Sequence, residues 1–267
     1  MGRLKSIIDL RGTIDGITFY KIKGIEGTIT RRKAGPTSEQ VKTASSYERT
    51  RENSKEFGIA SKAGKILRRS LNPFTRNIGS SYVSGELTRI FQQMVVKGDG
   101  IRGKRSLKPR QHKELLLGFD FNAGLSLQSV LRLKPEVHFT EKRTGIHLTF
   151  DSLNLKTDIF APSGATHIEF IHAACIQPAL VFNPNKNEYD YSTDAYTILQ
   201  EATLSERMLL DRDQNIPLEL RINFHPSNLI HEDSLLISVL GIRFYQQIGF
   251  HMYLLESGKA MRIIALD

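Results

Sequence analysis

Hydrophobic and polar residues change their spacing twice along this chain. Residues 1–33 carry short apolar runs separated by Asp-Gly at 15–16 and Lys-Gly at 23–24. Both dipeptides suit tight turns, because glycine readily adopts a positive φ. The pattern predicts a small antiparallel meander in which Ile22 lies opposite Ile25 across the second turn.

Spacings of three and four residues then predict helices between residues 37 and 97. Thr37 and Gln40 form a capping-box pattern, and Gly58 or Gly64 is expected to interrupt the long stretch that follows. Asn72-Pro73 restarts the chain as a helix, and Gly98 fits the residue just past its end. The apolar faces comprise Phe57, Ala60, Ala63 or Gly64, and Leu67 in the first helix, and Val83, Leu87, Ile90, Phe91 and Met94 in the second.

From about residue 116 the hydrophobic period becomes two, which is typical of strands with one buried face. In "PEVHFTEKRTGIHLTF", a hairpin with Glu141 opposite Thr144 places all the apolar side chains on one face. Seven to nine short strands without intervening helices predict an antiparallel β-sandwich of immunoglobulin-like or related topology. We therefore expect an α+β protein, with a β-meander and helical module over 1–115 and the sandwich over 116–267.

Charge divides along the same line. Residues 1–120 hold 25 Lys and Arg against 11 Asp and Glu, a net charge of +14, whereas residues 121–267 hold 12 against 17, a net charge of −5. This asymmetry predicts a basic module joined to a mildly acidic one. The basic half is expected to meet a polyanion or the acidic half of another copy of the chain.

The segment 98–113 carries the densest cluster of cations. As candidates for binding a polyanion or a partner, it offers Arg102, Lys104, Arg105, Lys108, Arg110 and Lys113. It has no aromatic residue on which bases stack and no helical spacing that suits a groove. Residues 98–103 match G-x-G-x-x-G, but a predicted helix precedes them and Pro109 follows, so the context of a nucleotide loop is missing. We interpret the segment first as a hinge between unlike halves and second as a contact arm.

No residue pattern points to catalysis, a metal or a cofactor. The single cysteine, Cys175, lies in an apolar strand, where a free cysteine is normally a small buried hydrophobe. His138 and His147 are expected to be cross-strand neighbours with Glu136 beside them, but on an open sheet face such a group usually stays solvated. Residues 211–215 begin like a calcium loop yet lack its glycine and closing glutamate, so they predict a turn. No G-x-S-x-G occurs. We expect a protein that is not an enzyme.

The stretches "RGTIDGITFYK" and "RTRENSKEFGIASKAGK" resemble the opening signature of uncharacterised Bacteroidota proteins with a domain of unknown function. The resemblance covers about the first seventy residues, and the later strands resemble that group only loosely. It implies an N-terminal meander with helices and a C-terminal β-domain, and it carries over no activity. In this signature we expect Phe19, Tyr20 and Phe57 to pack a small core. Arg49, Arg51, Glu52 and Glu56 are expected to form charge contacts along a helix face that is solvated or that docks a neighbouring subunit.

These observations favour a non-enzymatic structural protein that forms an oligomer or part of a larger particle. The alternative is a nucleic-acid-binding protein that uses the basic half electrostatically, with weak sequence specificity. A sandwich that binds carbohydrate has little support, because the chain lacks tryptophan, the residue most used to stack against sugar rings. No apolar run suits a signal peptide or a spanning helix, so we expect synthesis in the cytoplasm.

Overall fold

The structure, a computed structural model, describes residues 2–4, 10–32, 35–75, 81–191, 200–224 and 230–267. The chain divides into two compact units, Met1–Arg51 and Glu52–Asp267. The sequence pattern placed the division near residue 115 instead. The reason for the difference lies in how the helices are packed within the second unit.

The first unit contains a four-stranded antiparallel sheet. Its strands are β1 (Gly2–Leu4), β2 (Gly12–Ile14), β3 (Ile17–Tyr20) and β4 (Thr28–Arg32), in the order β1-β4-β3-β2. The turn between β2 and β3 has φ of 49° at Asp15 and 76° at Gly16, which confirms the predicted hairpin. Strands β2 to β4 form the predicted meander, and β1 adds a strand on the far side of β4.

The second predicted turn forms, but without the strands that were expected to flank it. The Ile25 amide donates to the Ile22 carbonyl at 3.1 Å, as a tight turn requires. The strand ladder stops earlier, with Tyr20 opposite Ile29 rather than opposite Gly27. Gly27 has a φ of 92°, which is incompatible with an extended strand, so the ladder cannot continue to the turn.

The helical part of the chain begins where the capping pattern predicts. Its helices are α1 (Ser38–Thr43), α2 (Glu48–Ser70), α3 (Asn72–Thr75) and α4 (Ser81–Lys97), with a 3₁₀ turn at Ser45–Tyr47. Part of the helix predicted from Asn72 onward, residues 76–80, lies outside the described residues. The Thr37 hydroxyl accepts from the Gln40 amide at 3.1 Å, and the Gln40 side chain accepts from the Thr37 amide at 2.8 Å, so the capping box is confirmed. The end of α4 at Lys97 confirms Gly98 as the residue that follows it.

Helix α2 runs through both of its glycines, so the predicted interruption at Gly58 or Gly64 is wrong. A Cβ added at Gly64 would lie 3.4 Å from the Cβ of Leu87 in α4. The glycine therefore permits a close approach of two helices rather than a break in one. The chain leaves helical geometry earlier, at Ala44, where ψ is 138°.

The rest of the second unit consists mainly of strands. In chain order its elements are a 3₁₀ segment (Pro109–Leu115), α5 (Leu127–Val130), β5 (Glu136–Phe139), β6 (Gly145–Asn154), β7 (His167–Gln177), β8 (Leu180–Asn183), β9 (Glu188–Tyr191), β10 (Gln200–Leu204), β11 (Met208–Leu209), β12 (Asn215–Asn223), β13 (Leu235–Ile248) and β14 (His251–Leu266). The central sheet has the order β10-β7-β13-β14, and β11 also pairs with β7. A second sheet has the order β12-β6-β5, and β8 pairs with β9.

The central sheet is buried on both faces. On one face, Ile171 and Val239 belong to the same apolar cluster as Leu67 of α2 and Phe91 of α4. On the other face, a cluster that includes Phe170 and Leu240 contains residues of β6 and β12. Because the helices and the central sheet share one core, residue 115 does not separate two units. The α+β class is confirmed; two antiparallel sheets pack against each other, but an immunoglobulin-like topology is not confirmed.

The predicted hairpin over residues 136–150 has the expected register. Val137 lies opposite Leu148, and Phe139 lies opposite Ile146. Ile146 and Leu148 are fully buried, and their face packs toward the central sheet. Alternation fixes this register because a shift of one residue would expose the whole apolar set.

Candidate functional site

The first half of the basic segment is held by helix α2. The Glu56 carboxylate, only 2% exposed, accepts the Gly103 amide at 2.8 Å through Oε1, and its Oε2 lies 3.6 Å from Arg105. Arg102 donates to Asn53 Oδ1 at 2.7 Å through one guanidinium nitrogen. These contacts fix the loop that follows α4 against the side of α2.

The middle of the segment contacts the small hairpin formed by β8 and β9. Leu107 is buried and exchanges two backbone hydrogen bonds of 2.8 Å with Leu180. The Lys104 ammonium lies 5.6 Å from the centre of the Phe182 ring, within the range of a cation–π contact. Lys108 pairs locally, with its Nζ 3.0 Å from Asp99 Oδ2.

The last two cations of the segment reach the central sheet. Arg110 donates to the Glu232 carbonyl at 2.7 Å and lies 3.6 Å from Asp267. The Lys113 ammonium donates to the Leu266 carbonyl at 3.3 Å. All six cations of the segment therefore have partners within the second unit, and the segment does not form a hinge between two units.

The residues of the resemblance signature divide between packing and exposure. Phe19 and Tyr20 are partly buried in β3, and the Arg31 guanidinium lies 5.5 Å from the Tyr20 ring centre. Phe57 is 58% exposed, so the expectation that it packs a core is wrong. Its neighbour Glu56 takes the buried position instead.

The charged residues of the signature have different roles. Arg51 donates from Nη1 to the carbonyls of Val41 and Ala44, both at 2.8 Å, and so satisfies the end of α1. Arg49 is exposed in the first turn of α2, and Glu52 lies 3.9 Å from Arg102. Arg51 therefore acts as a cap, and Glu52 contributes to the docking of the basic segment.

His138, His147 and Glu136 lie near one another as predicted, but they do not form a metal site. His138 lies opposite His147, as expected, and its Nε2 is 3.5 Å from Glu136 Oε2. The side chains of His138 and Glu136 are largely exposed. Throughout the described ranges, no three His, Cys, Asp or Glu side chains are grouped closely enough to hold a metal ion. Residues 211–215 contain a turn and the start of β12.

Two buried groups lie within the central sheet. Cys175 is fully buried, and burial raises the pKa of its thiol to about 12. His172 is also fully buried; its Nδ1 lies 3.1 Å from the Leu220 carbonyl and its Nε2 lies 2.9 Å from Ser238 Oγ. Burial lowers the pKa of His172 to about 4, so the neutral ring links β7 to β12 and β13.

A buried carboxylate fastens the far end of the central sheet, which the sequence pattern did not reveal. Tyr245 donates its hydroxyl to Glu169 Oε2 at 2.8 Å, and Arg207 and Arg243 each approach the same carboxylate at 3.7 Å. The Arg207 guanidinium also lies 4.3 Å from the centre of the Tyr245 ring. Burial, and then the hydrogen bond to Glu169, raise the pKa of Tyr245.

Beyond this cluster, β13 and β14 continue as a two-stranded hairpin. The last β7 partner of β13 is His167, opposite Tyr245, whereas the pairing of β13 with β14 continues to Ile248 and His251. Gly249 and Phe250 form the two-residue turn, with a φ of 60° at Gly249. We call residues 246–254 the hairpin end.

The hairpin end presents apolar side chains to solvent. Phe250, at its apex, is fully exposed, and Ile248, Tyr253 and Leu254 are also exposed. Ile248 pairs with His251, and Tyr253 pairs with Gln246. Paired residues of an antiparallel hairpin point to the same face, and so do residues two apart in one strand, so Ile248 and Tyr253 share one face. Several large apolar side chains grouped at one projecting end are typical of an interaction site.

A groove lies at the opposite end of β14. Its volume is about 580 Å³, and its apolar lining is formed by Leu117, Leu127, Leu131, Leu133, Pro135, Ile263 and Ile264. Leu117 is 56% exposed. Three cations, Arg132, Lys134 and Arg262, also line it. We call this feature the leucine groove.

Comparison of the chain with protein-family models, with curated proteins and with solved structures finds no match. The resemblance to the Bacteroidota proteins therefore stays a prediction. Within the part of the chain that the structure describes, no helix is long and apolar enough to cross a membrane.

Proposed function

We propose that the protein is a non-enzymatic structural subunit that forms an oligomer or part of a larger particle. The observation that carries this proposal is the hairpin end, where Phe250 and three further large apolar side chains are exposed together. Exposing such side chains to water is unfavourable, by about 1.5–3 kcal/mol for each one relative to burial. A partner that covers them recovers this free energy.

The anchoring of the hairpin supports an interaction role. Glu169, Tyr245 and the two arginines hold the base of the hairpin end, so its apolar side chains are presented on a fixed support. A preorganised surface loses less conformational entropy on association than a loose one does. The packing of two antiparallel sheets supports a sandwich architecture for this part of the chain, and an immunoglobulin-related topology remains our proposal for it.

Size-exclusion chromatography with light scattering tests the assembly role. The protein is purified without nuclease and recorded at 260 and 280 nm; with no tryptophan, the chain absorbs weakly at 280 nm, so bound nucleic acid is conspicuous. We expect a mass above the 30.2 kDa of one chain, with a protein-like absorbance ratio. A monomer under all conditions, with no partner in the purified material, contradicts self-association.

Nucleic-acid binding is the alternative function, and the first unit adds to its candidate surface. Residues 1–51 hold 11 Lys and Arg against 5 Asp and Glu, a net charge of +6. The basic segment is a weaker candidate, because its cations already have partners within the second unit. A high 260 nm absorbance that is lost in salt would favour this alternative.

A further inference from the structure

We propose that the outer surface of helix α2 binds the phosphate backbone of a nucleic acid. This inference rests on nucleic-acid binding, the alternative function above, and it names the surface that carries it. Three cations near the end of α2 form this surface, and we call Lys65, Arg68 and Arg69 the α2 cations. Lys62 extends the row, with its ammonium 4.5 Å from the centre of the Tyr191 ring.

The α2 cations lie on the side of the helix that faces away from the core. Lys62, Lys65 and Arg69 follow the i, i+3, i+7 spacing of one helical face, and Arg68 lies about 60° from Lys65 around the helix axis. Lys65 and Arg69 are exposed, and Arg68 is partly exposed. The apolar face of α2 packs instead into the core that it shares with the central sheet.

In the described part of the chain, no carboxylate pairs with the α2 cations. Residues 57–85 contain no Asp or Glu. The single carboxylate of α4, Glu86, pairs with Arg89 at 2.8 Å. Among the described residues, none forms an ion pair or a side-chain hydrogen bond with an α2 cation, and the Nε atom of Arg68 is buried without a partner. These cations therefore differ from those of the basic segment, whose charges are compensated within the second unit.

This arrangement of like charges is unfavourable without an anion. Lys65 lies three residues from Arg68 and four from Arg69, the two spacings at which like charges on a helix repel each other. The partly buried guanidinium of Arg68 has also lost part of its hydration without a hydrogen bond in exchange. An anion that binds across the row relieves the repulsion and supplies a partner for these groups.

A nucleic acid fits this surface better than a second copy of the chain does. A duplex carries one negative charge per about 1.7 Å of its axis, so several phosphates can meet the row at once. The carboxylates of residues 121–267 are less available, because several already pair with cations of the same molecule. These pairs are Asp190 with Lys186, Asp213 with Lys156, Glu219 with Arg221, and Glu256 with Lys259.

The packing of α2 argues against a membrane surface as the partner. A helix that lies on anionic lipid inserts an apolar face beside its cations. The apolar face of α2 is not available for insertion, because Ala60, Ala63 and Leu67 are buried in the core. Phosphate contacts alone carry no sequence information, so we expect binding that is independent of sequence.

Fluorescence anisotropy with a short labelled DNA duplex tests the proposal at about 50 and 200 mM salt. The patch variant combines Lys65→Gln, Arg68→Gln and Arg69→Gln, and so removes the three α2 cations. We expect wild type to bind with a dissociation constant of about 1–100 μM, and four phosphate contacts predict a slope of log K against log salt of about −3.6. The patch variant should bind at least about tenfold more weakly at the lower salt concentration, with a shallower slope.

A matched control separates this surface from net charge. The control variant combines Lys142→Gln, Lys186→Gln and Arg212→Gln, which removes the same charge from exposed positions elsewhere in the second unit. It should bind DNA as wild type does. Circular dichroism and urea unfolding should show that both variants are folded. The single variant Lys65→Gln, at an exposed position, should by itself make the slope shallower by about 0.9.

The outcomes separate this inference from the function on which it rests. If wild type binds DNA and the patch variant binds no more weakly than the control variant, the α2 surface is overturned and nucleic-acid binding belongs to another surface. If wild type shows no salt-dependent binding, both the α2 surface and the alternative function are overturned, while the assembly function stands. Binding to phosphatidylserine vesicles but not to DNA, lost in the patch variant, would overturn the proposal and assign the α2 cations to a membrane surface.

Discussion

Glu56 shows how a single residue determines the position of the basic segment. A buried carboxylate is costly unless charged groups or hydrogen bonds compensate for its lost hydration. Glu56 obtains both, from the Gly103 amide and from Arg105. Glycine is required at position 103 because φ is 81° and an added Cβ would lie 2.8 Å from the Cγ of Glu52.

Replacement of Glu56 should separate its two contributions. Glu56→Ala leaves the Gly103 amide and Arg105 without their partner, and we expect the free energy of unfolding to fall by about 2–4 kcal/mol. Glu56→Gln retains an acceptor for the amide and should cost about half as much. Urea unfolding measures both values. Equal stability of Glu56→Ala and wild type would contradict a docking role for this carboxylate.

His172 should make stability depend on pH. Its pKa is about 4 in the folded protein against an ordinary value of 6.5, so between these values the unfolded chain binds a proton that the folded protein does not. The free energy of unfolding should therefore be highest above pH 6.5 and fall by up to about 3 kcal/mol as the pH drops to 4. The comparison with His172→Gln, by urea unfolding at each pH, isolates this contribution. Parallel pH profiles would show that His172 does not cause it.

The difference between Phe57 and Glu56 marks what the sequence pattern can tell about single residues. Positions 56, 60, 63 and 67 form one helical face, and the structure buries all four. The pattern favoured Phe57 because an aromatic residue normally occupies a buried position. The partners that make Glu56 acceptable there come from residues 103 and 105, and local periodicity carries no information about them.

The β13–β14 hairpin depends on the polar cluster at its base. Glu169 lies in β7 and contacts Tyr245 and Arg243 of β13, as well as Arg207. Beyond Tyr245, β13 has no further β7 partner. The cluster therefore stands where a five-stranded sheet becomes a two-stranded hairpin.

Loss of the Glu169 carboxylate should loosen the hairpin. Glu169→Ala leaves Arg207 and Arg243 without their shared partner, and we expect a loss of about 2–4 kcal/mol in the free energy of unfolding. Amides of residues 244–254 should exchange with solvent faster than in wild type, since local opening becomes easier. Arg221→Ala, which removes an exposed ion pair to Glu219, is the matched control and should cost less than about 1 kcal/mol. Unchanged exchange in the hairpin would argue against its anchoring by Glu169.

Elements defined by adjacent residues follow closely from the sequence. The Thr37 capping box, the turn at Asp15 and the register of Val137 with Leu148 all depend on neighbours along the chain. The extent of β13 and β14 does not, because alternation shows that "FYQQIGFHMYLL" is extended without showing where β7 stops pairing with it. The exposed end was therefore missed, although a glycine followed by phenylalanine inside that run was the available signal.

Across the whole molecule, the charge asymmetry does not define the architecture. The cations at 102–113 belong to the second unit, where they contact α2, the β8–β9 hairpin and the central sheet. Composition revealed this excess of charge, but it could not reveal that the neutralising partners lie in the same unit. The helices behave similarly: their apolar faces were predicted, and the sheet that covers them was not.

Neutralising the basic segment should reduce stability rather than abolish a nucleic-acid contact. We consider changing Arg102, Lys104, Arg105, Lys108 and Arg110 together to Gln. The change removes several exposed contacts, each of which contributes little to stability. It also removes the contact of Arg105 with the buried Glu56 carboxylate. We expect a total loss of about 2–4 kcal/mol in urea unfolding, with little change in any salt-dependent binding of DNA. Abolished DNA binding at unchanged stability would restore this segment as a polyanion site.

The central claim is that the hairpin end is the contacting surface of a protein that assembles. Hydrogen exchange of the wild-type protein at about 1 and 200 μM tests it most directly, because association protects only the amides that it covers or rigidifies. We predict that residues 246–254 become protected at the higher concentration. Exchange that does not change in this segment while the protein associates would contradict the account.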